Sequence, residues 1–219
     1  MNSAELAGAI YITSPGFSSP EWTEKLPGVI SDSSVGVIFR QGHLQIVFPG
    51  TESWSDVLAD CQIEPYHHPI FGTVVSGFWK GLEEFWATQL FPYIQLESVT
   101  KITLIGHSLG ASHAMLTSLL IGQYGRKVDS LILFAPPKTC NLYTLGHVNE
   151  ICTSVRAYKN GNDPITSWPK IPSVSLAQLF LTWLHVPLDE HVNEIDRLTG
   201  LEYHKMKYYI RGYRDEWDS

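Results

Sequence analysis

The sequence predicts an α/β fold with a mostly parallel central sheet flanked by helices. Three observations carry this expectation. Short apolar, β-branched segments alternate along the chain with segments whose apolar residues recur at helical spacing. Residues 101–105 lead through Gly106-His107-Ser108-Leu109-Gly110 into a helical pattern at 111–124, with Ala111, Met115 and Leu119 four apart. The 219 residues, 44% of them hydrophobic, contain no repeat or low-complexity tract, so a single domain spanning 1–219 is expected.

Taken in order, residues 3–12 read as a short helix and the Ser/Pro/Gly-rich stretch 13–34 as a surface loop. Residues 34–40 and 43–48 read as two strands around Gln41-Gly42, a short hairpin turn. One or two helical turns are expected at 53–60, and irregular chain with two prolines at 61–75. Residues 77–91 place Phe78, Leu82, Phe85, Trp86 and Leu90 on one face of an amphipathic helix. Strands at 128–134 and 153–159 complete the alternation, the second running into Asn160-Gly161-Asn162-Asp163-Pro164.

Composition excludes several classes of function. A formal charge of −7 without any basic run argues against a nucleic-acid partner. Cys61, Cys140 and Cys152 form no paired motif and read as reduced thiols, two of them buried. The first residues lack the basic region and apolar core of a signal peptide, and no run approaches the roughly 18 apolar residues of a membrane span. The chain is therefore expected to be soluble, and cytoplasmic or released without a visible signal peptide. His67-His68 has no further ligands at metal-binding spacing, so neither metal nor cofactor is expected.

The chemistry lies at the strand-to-helix junction. Gly-x-Ser-x-Gly in this setting is what a nucleophile elbow requires: a sharp turn strains the serine backbone, and flanking glycines let strand and helix pass closely. The N–H groups of the following helix then point toward a developing oxyanion. A serine hydroxyl needs a base, and the base an orienting carboxylate. Asp163, on a loop directly after a strand, meets the requirement for the acid. Its Asn-Asp-Pro setting also suits a turn aspartate bonded to its own backbone, and chain order favours the catalytic reading. Three histidines follow it: His204 at a helix start, His185 beside Trp183 and Leu184, and His191 among Asp189, Glu190 and Asn193. Order alone leaves all three open as the base. His107, inside the elbow, points away from its neighbour Ser108. For the oxyanion, Leu109 offers the N–H after the nucleophile, and Thr51 offers its N–H and hydroxyl on the loop after Phe48-Pro49-Gly50.

Together these motifs resemble the fungal-type triacylglycerol lipase (class III lipase) family of α/β-hydrolases. The family pattern Gly-Thr-x-Ser-x-x-Asp-x-x-x-Asp is similar to Gly50-Thr51, Ser53, Asp56 and Asp60. Gly-His-Ser-Leu-Gly stands at 106–110, an acid loop at Gly161-Asn162-Asp163-Pro164, and a late His-x-x-x-Tyr at His204 and Tyr208. The resemblance spans roughly residues 34–210. It implies an α/β-hydrolase fold with Ser108 as nucleophile, Asp163 as acid, His204 as base and Thr51 as an oxyanion donor. The chain departs from the family at Pro49, where arginine is usual, and at Val75, where histidine is frequent; neither removes a catalytic group.

The implied activity is cleavage of carboxylic esters of lipids or other acyl esters, with a lipid surface as one setting. Phospholipase and acyltransferase chemistry share the same triad, and a structural or interaction protein that retained the fold is the non-catalytic alternative. In the family a lid follows the oxyanion loop, here 61–75, which reads either as a small lid or as a structured loop. A second apolar segment, 174–184, reads either as a core-packing helix or as a wall of the acyl pocket.

Overall fold

The structure, a computed structural model, describes residues 3–9, 21–29, 34–51, 62–169 and 183–185, together with His204, Met206 and Tyr209. Among these residues seven strands form one sheet in the order β1-β2-β3-β6-β7-β8-β9. The strands are β1 (Glu24–Leu26), β2 (Val35–Arg40), β3 (His43–Phe48), β6 (Lys101–His107), β7 (Ser130–Phe134), β8 (Val155–Lys159) and β9 (Trp183–His185). β1, β2 and β3 pair antiparallel. From β3 onward every pairing is parallel.

The β2–β3 turn shows why the sequence was legible there. Gln41 and Gly42 both take positive φ, 50° and 79°, the signature of a two-residue hairpin whose twist matches its strands. In the parallel strands successive residues serve opposite faces of the sheet. Ile46, Leu104, Leu131 and Leu133 pack into a larger core with α5 (Leu109–Gln123) and α6 (Leu142–Ile151). Val47, Ile105, Ile132 and Phe134 pack on the other face against α1 (Ser3–Ala9), Met206 and Tyr209. α5 is buried all round from Leu109 to Ile121, the property of a helix between sheet and outer layer.

Four expectations need correction. Part of the supposed loop 13–34 is a strand, β1, added to the edge of β2. Within the stretch expected to be irregular, residues 62–75 are ordered: β4 (Pro65–His68) and β5 (Gly72–Val75) form an antiparallel hairpin, with Gly72 at φ 93° at its turn. Val75 N–H donates to Thr139 O at 3.0 Å and Phe71, Val74 and Val75 are buried, so this hairpin is anchored in the core and is a structured element. The helix expected at 77–91 is broken. α2 (Ser76–Trp79) ends at Lys80, and Gly81, at φ 77°, reorients the chain into α3 (Leu82–Phe85). A π-helical turn, Trp86–Leu90, then leads into α4 (Phe91–Ile94), where Pro92 has no N–H to give the preceding turn. All five apolar residues of the expected face are nonetheless buried. Finally, α6 was not anticipated, although Asn141 caps it by accepting from Thr144 N–H at 3.0 Å, and Leu145, Val148 and Ile151 recur three apart. The helical turns expected at 53–60, the segment 174–182, Cys61 and His191 lie outside the described residues. Residues 183–185 extend the sheet as β9.

Cys140 and Cys152 are free and buried, and burial pushes their thiols up to about 12 and about 11, so both stay protonated. His113, on α5, lies buried near the Phe48 ring, and its Nε2 has no hydrogen-bond partner among the described residues. Burial pushes its pKa down to about 3. Between pH 6.5 and about 3 the unfolded chain therefore binds a proton there that the folded chain refuses, so acidification through this window destabilises the fold. The slope is about 1.4 kcal/mol per pH unit. Denaturant melts at pH 7 and pH 5 should show wild type losing about 2 kcal/mol more than His113→Leu. Equal losses in both proteins would mean that His113 is protonated in the folded state.

Candidate active site

β6 delivers the chain to Ser108 and α5 leaves it one residue later. Ser108 takes φ 60° and ψ −126°, a conformation L-residues rarely adopt, and its N–H is tied to Phe134 O at 2.8 Å. The two glycines are required by contact. A Cβ on Gly106 would lie 2.3 Å from Gly110 O, and one on Gly110 would lie 2.3 Å from both Phe48 O and Pro49 O. The second contact also sets the start of α5 directly against the loop that continues into Gly50 and Thr51.

His204 Nε2 is 2.6 Å from Ser108 Oγ and its Nδ1 is 2.8 Å from Asp163 Oδ2. Residues from three distant parts of the chain thus form one hydrogen-bonded line. It is secluded: Ser108 is 0% exposed, Asp163 1% and His204 5%. Asp163 follows β8 and begins a 3₁₀ turn, Pro164–Ser167, which its Oδ1 caps by accepting from Ile165 N–H at 3.0 Å. Its two sequence readings therefore coexist, one oxygen holding the turn and the other facing the histidine. With Nδ1–H donating to Asp163, His204 presents an unprotonated Nε2 that can accept the Ser108 hydroxyl proton.

His107, next to Ser108 in the elbow, is not idle. Its Nε2–H donates to the backbone carbonyl of His204 at 3.0 Å, and its ring stacks on the His204 ring with centroids 4.9 Å apart. Burial first, and the neighbouring His204 second, hold His107 well below the ordinary histidine range, against the opposing pull of that carbonyl bond. The elbow thereby grips His204 with a neutral imidazole.

The remaining candidates fall as follows. Leu109 is the first residue of α5, immediately after Ser108. Thr51 is half-buried in the loop after β3. His185 is on the edge strand β9, in register with Lys159 of β8. Ser53, Asp56, Asp60 and Tyr208 lie outside the described residues. His67 and His68 build their own hairpin: His67 Nδ1 is 2.9 Å from Thr73 Oγ1, and His68 Nδ1 accepts from the N–H groups of Ile70 and Phe71. Among the described residues no group of three His, Cys, Asp or Glu could hold a metal ion, and no helix is long and apolar enough to cross a membrane. One residue had been missed. Tyr209, fully buried, donates its hydroxyl to Asp163 Oδ2 at 2.7 Å. The late His-x-x-x-Tyr pattern pointed one position earlier, and no periodicity marked Tyr209.

The sequence profile of the class 3 lipases matches residues 45–173. The chain belongs to the class 3 lipase family. As a class 3 lipase it is a serine hydrolase acting on lipid esters. The lipase of Rhizopus microsporus var. chinensis shares the fold with a TM-score of 0.64 at 19% identity, over 76% of this chain and 67% of that one. Rhizomucor miehei triacylglyceride lipase gives 0.66 at 17% identity, over 92% and 89%. A triacylglycerol lipase described as having a serine-protease triad for its catalytic centre gives 0.66 at 20% identity, over 92% and 90%. No curated protein matches the chain in sequence. The class 3 lipase match takes in Thr51, Ser108 and Asp163 but stops before His204, whose place rests on its two hydrogen bonds. Pro49 and Val75, where the chain departs from the family pattern, are both buried beside the site's scaffold.

Proposed function

We propose that Ser108, His204 and Asp163 are the nucleophile, base and orienting acid of this class 3 lipase, and that it cleaves acyl esters presented at a lipid surface. The hydrogen-bonded line from Ser108 Oγ through His204 to Asp163 carries the reading. In the reaction Oγ attacks the ester carbonyl carbon as His204 Nε2 takes its proton, and Asp163 stabilises the imidazolium that forms. The carbonyl oxygen gains negative charge and is bound by the Leu109 N–H at the start of α5, where the helix dipole adds to it, and by Thr51. His204 returns the proton to the departing alcohol oxygen. Water, activated by the same histidine, then releases the acid from the acyl-enzyme.

The surface part of the reading rests on seclusion and on where apolar side chains are exposed. With Ser108 wholly buried, an ester reaches Oγ only after covering residues move. Ile63, Tyr66 and Ile70, in or beside the β4–β5 hairpin, and Leu142 and Tyr143 at the start of α6 are exposed large apolar residues. The two groups adjoin: Asn141 N–H donates to Thr73 O at 2.9 Å and Thr144 Oγ1–H donates to Phe71 O at 2.6 Å. Thr139, which bonds Val75 on one side and Ser112 of α5 on the other, links this patch to the elbow.

Hydrolysis of one ester measured below and above the concentration at which it forms a separate phase tests the reading. The rate should rise steeply once the phase appears. Ordinary saturation on dissolved p-nitrophenyl esters, with no response to emulsions or vesicles, would make this a short-chain esterase instead.

A further inference from the structure

We infer that Tyr209 is a positioning residue that tunes the basicity of His204 through Asp163, an inference that rests on the triad reading. The hydroxyl stands between two partners: it donates to Asp163 Oδ2 at 2.7 Å and accepts from the Asn160 N–H at 3.0 Å. Oδ2 is also the oxygen that receives the His204 Nδ1–H, so phenol and imidazole share one acceptor while Ile165 N–H occupies the other. Each donor draws charge from the carboxylate, and a carboxylate with less charge at Oδ2 stabilises imidazolium less. The phenol thus weakens the carboxylate's hold on a charged imidazole and fixes the carboxylate that aims it.

Tyr209 is held for this task. Its ring packs edge-on against His107 and Phe134 at centroid distances of 5.9 and 6.0 Å. Burial first, and Asp163 second, keep its hydroxyl well above the ordinary phenol range, so it remains a donor across the working range of pH. Among the described residues, the other titratable groups packed with the pair are His107 on β6, which stays neutral, and Tyr158 on β8, which shares the same core.

The test is the pH dependence of kcat/KM on a soluble ester, and of inactivation by a small fluorophosphonate, for wild type, Tyr209→Phe, and 3-fluorotyrosine placed at 209. Loss of the donor should raise the acid limb by about half a pH unit or more and lower the plateau on the order of 10-fold. The fluorinated ring keeps the shape and strengthens the donor, so its limb should move the other way, which holds even if Tyr209→Phe folds poorly. Opposite shifts support the assignment. An acid limb unmoved by both changes, with Ser108→Ala inactive, overturns the role of Tyr209 and leaves the triad standing. Activity surviving in Ser108→Ala overturns the triad reading and this inference with it.

Discussion

Ser108→Ala is expected to lower kcat on the order of 10⁶-fold, leaving only the roughly 10³–10⁴-fold advantage over water that an oxyanion site and binding supply. The substitution removes one oxygen whose hydrogen-bond partner is His204, and alanine meets the same φ of 60° that serine tolerates. Circular dichroism and melting temperature should therefore match wild type. His204→Ala should cost as much, because a hydroxyl 2.6 Å from its base is a nucleophile only while the base is there. The double variant should be little worse than either single one, since the two groups act as a unit. Steady-state hydrolysis by the three variants checks this. Additive losses would mean that Ser108 and His204 act in separate steps.

Asp163→Asn should lower kcat on the order of 10⁴-fold. The reason is visible in the donors around the carboxylate. Oδ1 accepts from Ile165 N–H, and Oδ2 accepts from His204 and Tyr209. An amide supplies one acceptor where two are needed. If its NH₂ replaces Oδ1 it meets the Ile165 N–H; if it replaces Oδ2 it confronts His204 and Tyr209. The second arrangement drives His204 to protonate Nε2, which can then no longer take the Ser108 proton. The variant should also lose about 1–3 kcal/mol of stability from the unpaired buried donor. Nitrogen NMR of the His204 ring should report the change of tautomer beside the kinetic loss. A loss under 10-fold with the Nδ1–H tautomer retained would remove Asp163 from the acid role.

What the sequence revealed, and what it hid, follows from the range of the interactions. β6 and β7 were legible because both are buried on both faces, which Leu104-Ile105 and Ile132-Leu133 show as unbroken apolar, β-branched pairs. β9, by comparison, was read with the apolar segment 174–184 and not as a strand. The elbow was legible because its pattern is compact in sequence: Gly106 answers a contact with Gly110 O four residues on, although Gly110 itself answers Phe48 and Pro49 across the fold. By contrast, the helical period of 77–91 survived in burial while the backbone broke, because Gly81 and Pro92 act locally and leave the apolar face intact. β1 and the β4–β5 hairpin pair with near neighbours, but their strands are short, their own residues carry little alternation, and the hairpin's anchor at Thr139 lies far along the chain. The base was ambiguous for the same reason. Three histidines satisfied the order, and contacts across 96 and 41 residues distinguish His204. Tyr209 acts at a separation of 46 residues, through an oxygen whose place only the fold determines.

The central claim is that Ser108 is made nucleophilic by His204. Labelling with a fluorophosphonate, followed by peptide mass mapping, tests it most directly because the probe needs an activated serine and no knowledge of the lipid. The account predicts a single adduct on Ser108 in the native protein, none in Ser108→Ala, and labelling slowed by orders of magnitude in His204→Ala. An adduct on another serine, or unchanged labelling of Ser108 when His204 is gone, would contradict it.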